Sequence, residues 1–518
     1  MRMRRYAPLL AAGLFATTIP ALAPAQAQAA GAPGYLTQKP AWHRCDSRSP
    51  AAYQCATIKV PLDYRHPEGR KIDLAISRVR SGNPAKRHGV LLLNPGGPGG
   101  SGLDLPLFLG DALPKKVKEQ YDLVGFDPRG VGRSTPISCG LNDAEQRWDR
   151  PYKRETFARD TAWAKSVAAK CRATSGDLLP YITTRNTARD MDVVRSVLGE
   201  RTISYLGYSY GTYLGAVYAQ MFPTRTDRVV LDSAVDPARI WRGMIQVWAS
   251  GAEPAYDRWA KWTAARNRTY KLGSTPAAVS KTFYGLVAQA NRKPIPIDGQ
   301  KLTGDDIRSY LRGAFFSPKS AAEAVVELKK AAAGQHVGAA ALPVPPAPAR
   351  TAAEAPADNG TAVFWAVACG DTRSWPKDPA QYRRDSIRDK ARYPLYGDIA
   401  SNILPCAFWG RNIEAETPMT GTAKVLTVQN EWDSQTPLAS GKGLHRALKG
   451  SKMVLALGGE GHGVYLTPGS CANAPIDAYL TTGKLPKADI TCRTTSSGQR
   501  NPLSDALPGP FPAAPNRF

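Results

Sequence analysis

No two of the eight cysteines are spaced as Cys-x-x-Cys, which removes the commonest zinc and dithiol-redox frameworks. Acidic residues are scarce, 43 Asp and Glu against 68 Lys and Arg, for a formal net charge of +25. The basic residues are nevertheless scattered. Without a long Lys/Arg block or an aromatic-interleaved basic stripe, a nucleic-acid partner is not expected. A weak attraction to anionic cell-wall polymers, or simple solubility, accounts for the charge. The apolar stretch near the N-terminus, about Ala7 to Thr18, is too short to span a bilayer and is followed by Pro20 and Pro24. No Gly-Lys-Ser/Thr follows the glycine-rich loop at 94–102, so a phosphate cradle is a poor reading there. Histidine is rare as well, with six in the chain, which leaves few candidates for a general base.

What is present begins with an address. Arg2, Arg4 and Arg5 precede the apolar stretch, and Ala25-Gln26-Ala27-Gln28-Ala29-Ala30 offers small-x-small cleavage sites, so 1–30 reads as an export signal. With no cysteine near that region, no lipid anchor is expected, and the mature chain is read as secreted and extracellular. In that compartment an even cysteine count favours disulfides. Proximity favours Cys45–Cys55, Cys139–Cys171, Cys369–Cys406 and Cys471–Cys492 among the many connectivities eight cysteines allow.

The rhythm after the leader is that of a βα sheet. Lys71 to Val79 alternates polar and apolar, whereas Gly89 to Leu93 and Tyr121 to Phe126 are continuous apolar runs of the kind buried on both faces. A helix is expected over Thr187 to Leu198, stopped by Gly199, then a strand at Ile203 to Tyr208, a helix over Thr212 to Phe222 and a strand at Arg228 to Asp232. From about Ala238 to Trp365 no apolar strand run is evident, and Gly338 to Asn359 is rich in Pro and Ala. The rhythm resumes at Ala423 to Val428, a helix around Leu438 to Leu448, and a last strand at Lys452 to Leu457. The expected division is therefore 31–237 as the first part of a sheet core, 238–365 as a mainly helical inserted cap, and 366–518 as the second part of the core.

The chemistry sits at the ends of those strands. Gly207-Tyr208-Ser209-Tyr210-Gly211 places a serine between a strand and a helix, as a nucleophile elbow requires. Asp433 follows the 423–428 strand in Asp433-Ser434-Gln435-Thr436-Pro437, and His462 follows the next strand in a glycine-rich loop. Serine, acid and histidine in that order are the parts of an acyl-transfer triad. Glu431 and Glu460 are rivals for the acid, but lack the same turn chemistry. His43, His66, His88, His336 and His445 fall in tails, loops or helices. The loop Asn94 to Gly102 should supply the oxyanion site, with an amide of Gly96 or Gly97 beside that of Tyr210. Protonation of His462 would silence the serine, so activity should fall on the acid side.

The motifs Asn94-Pro-Gly-Gly-Pro-Gly-Gly-Ser-Gly102, Gly125-Phe-Asp-Pro-Arg-Gly-Val-Gly-Arg-Ser134, Gly-Tyr-Ser-Tyr-Gly-Thr at 207–212 and Asp232-Ser-Ala-Val-Asp-Pro237 resemble those of the secreted tripeptidyl aminopeptidases of actinomycetes. These are α/β-hydrolase peptidases related to proline iminopeptidase. The resemblance runs through the 433–437 turn to the Cys471 and Cys492 segment. It implies an α/β-hydrolase fold, a mostly parallel sheet flanked by helices, and a serine exopeptidase that releases short peptides, typically tripeptides, from free N-termini of peptides or proteins. Ser209, Asp433 and His462 match the triad positions, and no cofactor or metal is implied. The chain departs from the iminopeptidases in having Pro95 where they have histidine. Asp127, Arg129 and Asp190 resemble motif positions and are read as bracing. An aminopeptidase also needs a carboxylate for the substrate ammonium, for which Glu253, Asp257 and Asp371 are candidates. The rival readings are a secreted carboxylesterase with the same triad and an inactive cell-wall binding protein of the same fold.

Overall fold

Strand formation follows the apolar runs. The computed structural model describes residues 33–297, 300–338, 355–410 and 413–495, so the leader at 1–30 and most of the Pro/Ala stretch lie outside the described residues. The strands are β1 (His43–Arg44), β2 (Tyr53–Pro61), β3 (Lys71–Val79), β4 (Gly89–Asn94), β5 (Tyr121–Phe126) and β6 (Ile203–Tyr208). They continue as β7 (Thr226–Asp232), β8 (Ile295–Ile297), β9 (Gln300–Leu302), β10 (Val425–Trp432), β11 (Lys452–Glu460) and β12 (Ile490–Arg493). Ten of them form one sheet in the order β1-β2-β3-β5-β4-β6-β7-β10-β11-β12. Pairing is antiparallel from β1 to β5 and parallel from β5 to β12.

Every residue of β4 and β6 is buried, which is why these strands read as continuous runs rather than alternating ones. Leu91, Leu93, Leu206 and Tyr208 face one apolar layer, while Val90, Leu92, Ile203 and Tyr205 face the other. At about 2 kcal/mol for each large side chain fully removed from water, these central strands anchor the core. The chain leaves β4 toward β5 on one side and returns through β6 on the other. The connections after β4 and β6 therefore diverge at a topological switch point, the place where open sheets of this kind bind ligands.

Between β7 and β10 the helices Arg242–Ala264, Pro276–Arg292, Gly304–Ala314 and Pro318–Ala332 pack around a separate apolar cluster that includes Trp259, Phe283, Leu311 and Phe315. The long helix Arg242–Ala264 joins the two cores. Met244, Ile245 and Trp248 belong with the sheet, whereas Ala252, Tyr256 and Trp259 belong with the helical cluster. Two features differ from the sequence reading. A short hairpin, β8–β9, lies inside the stretch expected to be mainly helical and without apolar strand runs. The helix Asn359–Gly370 packs with the sheet core through Ala362 to Cys369 rather than with the helical cluster.

The sheet also extends beyond the strand expected to be last, because β12 adds in parallel to β11. The helix expected at 187–198 begins earlier, spanning Thr184–Val197, because the Thr183 side chain accepts from the Asn186 amide and caps it. Four disulfides, Cys45–Cys55, Cys139–Cys171, Cys369–Cys406 and Cys471–Cys492, join the pairs that proximity favoured. Among the described residues, no helix is long and apolar enough to cross a membrane.

Candidate active site

Ser209 sits between β6 and the helix Tyr210–Met221 with φ 57° and ψ −123°, a backbone region that a residue with a Cβ seldom occupies. The turn is held because its neighbours are glycines. A Cβ on Gly211 would lie 2.7 Å from Asn94 Oδ1 and 3.0 Å from the Asn94 carbonyl, and one on Gly207 would lie 2.6 Å from the Gly211 carbonyl. The Ser209 amide donates to the Asp232 carbonyl at 3.1 Å, which ties the elbow to the end of β7. The helix starts immediately behind the serine, so its unpaired first-turn amides face that end of the sheet.

Asp433 follows β10 directly and is fully buried. Its Oδ1 accepts from the amides of Gln435 (2.8 Å) and Thr436 (2.9 Å), and its Oδ2 accepts from the Thr436 hydroxyl at 2.9 Å. Both oxygens lie 3.0 Å from His462 Nδ1. Burial alone would raise the carboxyl. The His462 charge and hydrogen bond, with the Thr436 and Gln435 amides, outweigh it and hold Asp433 below the usual carboxylate range. The carboxylate can thus fix one imidazole tautomer, with Nδ1 as donor and Nε2 as acceptor.

The histidine loop is held in turn by β7. The Asp232 carboxylate accepts from the amides of Val464 (3.0 Å) and Tyr465 (2.8 Å), and Ser233 Oγ donates to Asp232 while accepting from the Gly463 amide. Asn430 on β10 donates to the Gly461 carbonyl at 3.0 Å. Asp232 therefore holds Ser209 through its main chain and the histidine loop through its side chain. That role was not legible in the sequence, because its partners lie some 230 residues away. The Ser209 hydroxyl and His462 Nε2 are both buried, and neither has a hydrogen-bond partner among the described residues. A proton donor and a proton acceptor are thus left free just after the C-terminal ends of β6 and β11.

The loop after β4 lies against the elbow. Gly96 has φ 96°, and a Cβ there would lie 2.5 Å from the Tyr208 carbonyl and 3.0 Å from the Tyr210 amide nitrogen. The Gly96 amide already donates to Asn94 Oδ1 at 3.0 Å. The amides of Gly97 and Tyr210 have no acceptor among the described residues, so of the two glycines Gly97 has the donor to spare.

The remaining candidates are not gathered in one place. Asp371 is buried, and its carboxylate accepts from the Thr184 amide (2.8 Å), the Thr184 hydroxyl (2.5 Å) and the Trp241 indole (3.3 Å), so it is occupied in bracing. Glu253 is half-buried and accepts from the Leu395 amide at 2.9 Å, while Asp257, one turn further along the same helix, is exposed. Of the rival acids, Glu431 accepts from the Gly458 amide at 2.7 Å and Glu460 pairs with Arg258. Arg129 and Asp190 form a fully buried ion pair, and Asp127 accepts from Ser101, Gly102 and Arg133. Among the described residues, no three His, Cys, Asp or Glu side chains are grouped so as to hold a metal ion.

Comparison with known proteins accords with this geometry. Residues 89–284 match the family described as alpha/beta hydrolase fold, and residues 393–492 match the family described as TAP-like protein. The chain is 37% identical to tripeptidyl aminopeptidase of Streptomyces lividans over 87% of its own length and 86% of that protein's. It is 29% identical to serine protease Hip1 of Mycobacterium tuberculosis, over 88% of its own length and 91% of the relative's. A third relative, carboxylesterase B of M. tuberculosis, is 31% identical over 93% and 97% of the two lengths. On the extent and level of the first match, the chain belongs to the tripeptidyl aminopeptidase family of α/β-hydrolase serine enzymes.

Proposed function

We propose that the protein is an exported serine exopeptidase that releases tripeptides from the free N-termini of peptides or proteins. The observation that carries the chemistry is the fully buried Asp433 carboxylate, 3.0 Å from His462 Nδ1, with Nε2 and the Ser209 hydroxyl left unengaged. In this reading Ser209 Oγ attacks the scissile carbonyl as its proton passes to His462 Nε2, and the carbonyl electron pair moves to oxygen. The amides of Gly97 and Tyr210, with Gly96 shaping the loop, stabilise that oxyanion. On collapse the C–N bond breaks and the departing amine takes the proton from His462. Water then gives a proton to His462 and attacks the acyl carbon, the C–Oγ bond breaks, and the proton returns to Ser209.

The helical segment within 238–365 serves in this proposal as a cap that limits how much peptide enters. Its position is supported by three contacts to the catalytic loops: Arg312 donates to the Ser434 carbonyl (2.7 Å), Trp248 Nε1 to the Gln435 carbonyl (2.5 Å), and Arg258 pairs with Glu460 just before the histidine loop. Export is supported by the 1–30 leader and by the four disulfides, which belong to an oxidising compartment.

A carboxylesterase is the second reading, favoured by the 31% identical relative of that name. A tripeptide anilide with a free N-terminus, assayed beside its N-acetylated form and with Ser209→Ala as control, separates the two. The proposal predicts hydrolysis of the free form, rejection of the acetylated form, and loss of about 10⁴-fold or more in the variant. Good turnover of simple esters with neither peptide cleaved would leave the esterase.

A further inference from the structure

An enzyme that counts three residues from a free N-terminus must hold the substrate ammonium about 10 Å from the scissile bond. The holder should be a carboxylate with an oxygen left unpaired by the protein, within the roof over the strand ends. We infer that Asp149 is that residue. This assignment rests on the exopeptidase reading above and adds the site it requires.

Among the described residues, Asp149 Oδ1 is the one buried carboxylate oxygen without a hydrogen-bond partner. Its other oxygen accepts from the Ser309 hydroxyl at 2.6 Å, which fixes the carboxyl on the helix Gly304–Ala314. One turn further along that helix, Arg312 donates to the Ser434 carbonyl beside Asp433. Trp148 packs on Trp248 with ring centroids 5.8 Å apart, and Trp248 reaches the Gln435 carbonyl. Asp149 is thereby linked to the acid turn by a helical turn on one side and a tryptophan pair on the other.

The same segment reaches the opposite wall of the site. Gln146 Oε1 accepts from the Thr361 hydroxyl at 2.9 Å. The neighbouring Gly360 is packed against the oxyanion loop so closely that a Cβ on Gly99 would lie 2.6 Å from its carbonyl. Residues 146–149 thus bridge the oxyanion loop and the acid turn, the two borders of the crevice.

The charges around Asp149 do not supply a partner for Oδ1. Arg147 is engaged with Asp306 at 2.7 Å, and Asp306 adds negative potential. Burial outweighs the Ser309 hydrogen bond and the charge of Arg147, which is itself paired with Asp306, and pushes the Asp149 carboxyl above its ordinary range, as expected of a desolvated carboxylate with no cation of its own. A primary ammonium supplies that missing charge with donors to match. An acetylated terminus supplies neither the charge nor the extra donors. Asp371, Glu253 and Asp257 have no such vacancy, being already bonded or exposed.

The test compares Asp149→Asn, which keeps size and the Ser309 contact, with wild type. On each preparation kcat/KM is measured for a tripeptide anilide with a free amine and for its N-acetylated form. The ratio of the two cancels any difference in the amount of folded enzyme. Wild type is expected to prefer the free amine, and the variant's ratio to fall by about 30- to 100-fold, with Asp149→Glu recovering part of it. An unchanged ratio in Asp149→Asn overturns the assignment while leaving the exopeptidase reading intact. A wild type indifferent to acetylation overturns both.

Discussion

Asp433 and Asp371 are both buried aspartates, yet the balance of burial against hydrogen bonds and charge shifts their carboxyls in opposite directions. For Asp433, burial is outweighed by the His462 imidazole and the amides of the 433–436 turn, so it is held low and ionised. For Asp371, burial dominates over the Thr184 hydroxyl, the Thr184 amide and the Trp241 indole, and the carboxyl is pushed up to about 6. The sign follows from linkage: a carboxyl raised from 3.8 to about 6 on folding gives the folded chain extra protons in that interval. Its contribution is complete below about pH 4 and is lost as pH rises through about 6. Asp371→Asn should remove that slope, so the difference in thermal midpoint between variant and wild type changes steadily from pH 4 to 6.5 and is flat above. Parallel curves across the interval would contradict the burial account of Asp371.

Side chains proposed for catalysis are only as well placed as the turns beneath them. The 461–465 loop is fixed by Asp232, Ser233 and Asn430, from two strands that are neighbours of each other in the sheet. Asp232→Asn removes the charge and one acceptor from the Val464 and Tyr465 amides while leaving the substrate crevice unaltered. The expected result is a kcat lower by about 10- to 100-fold with KM little changed, as for a group that orients the base without touching substrate. A change confined to KM would contradict it.

How much of each element could be read from the sequence depended on where its partners lie. The placement of Ser209, Asp433 and His462 just after strands, in that chain order, is legible because strand, turn and helix signals are local. The support given by Asp232 is invisible in the sequence, because a hydrogen bond to Val464 leaves no local periodicity. β12 was missed because an exposed four-residue strand at the sheet edge, Ile490-Thr-Cys-Arg493, carries little apolar pattern. β8 and β9 were missed for the same reason, at three residues each with Pro296 among them. The helix Asn359–Gly370 falls at the end of the expected loop and the edge of the expected insertion. It is apolar on nearly every side because it is enclosed by the sheet core, so no amphipathic stripe announced it.

At the scale of the whole molecule, a sheet core supplies the reactive groups and a second apolar cluster, joined to it by the helix Arg242–Ala264, stands over the acid and histidine loops. The core alone would not distinguish a peptidase from an esterase, since the fold hosts both chemistries. In the proposal made above, the distinction lies in the enclosure, where Asp149 would hold a free amine ahead of Ser209. The account is tested most directly by the first product released from a ten-residue peptide with a free N-terminus, followed in time by mass spectrometry. It predicts an N-terminal tripeptide and the matching seven-residue remainder as the earliest species, with further tripeptides after them. Release of single residues, or cleavage at internal bonds irrespective of the N-terminus, would contradict it.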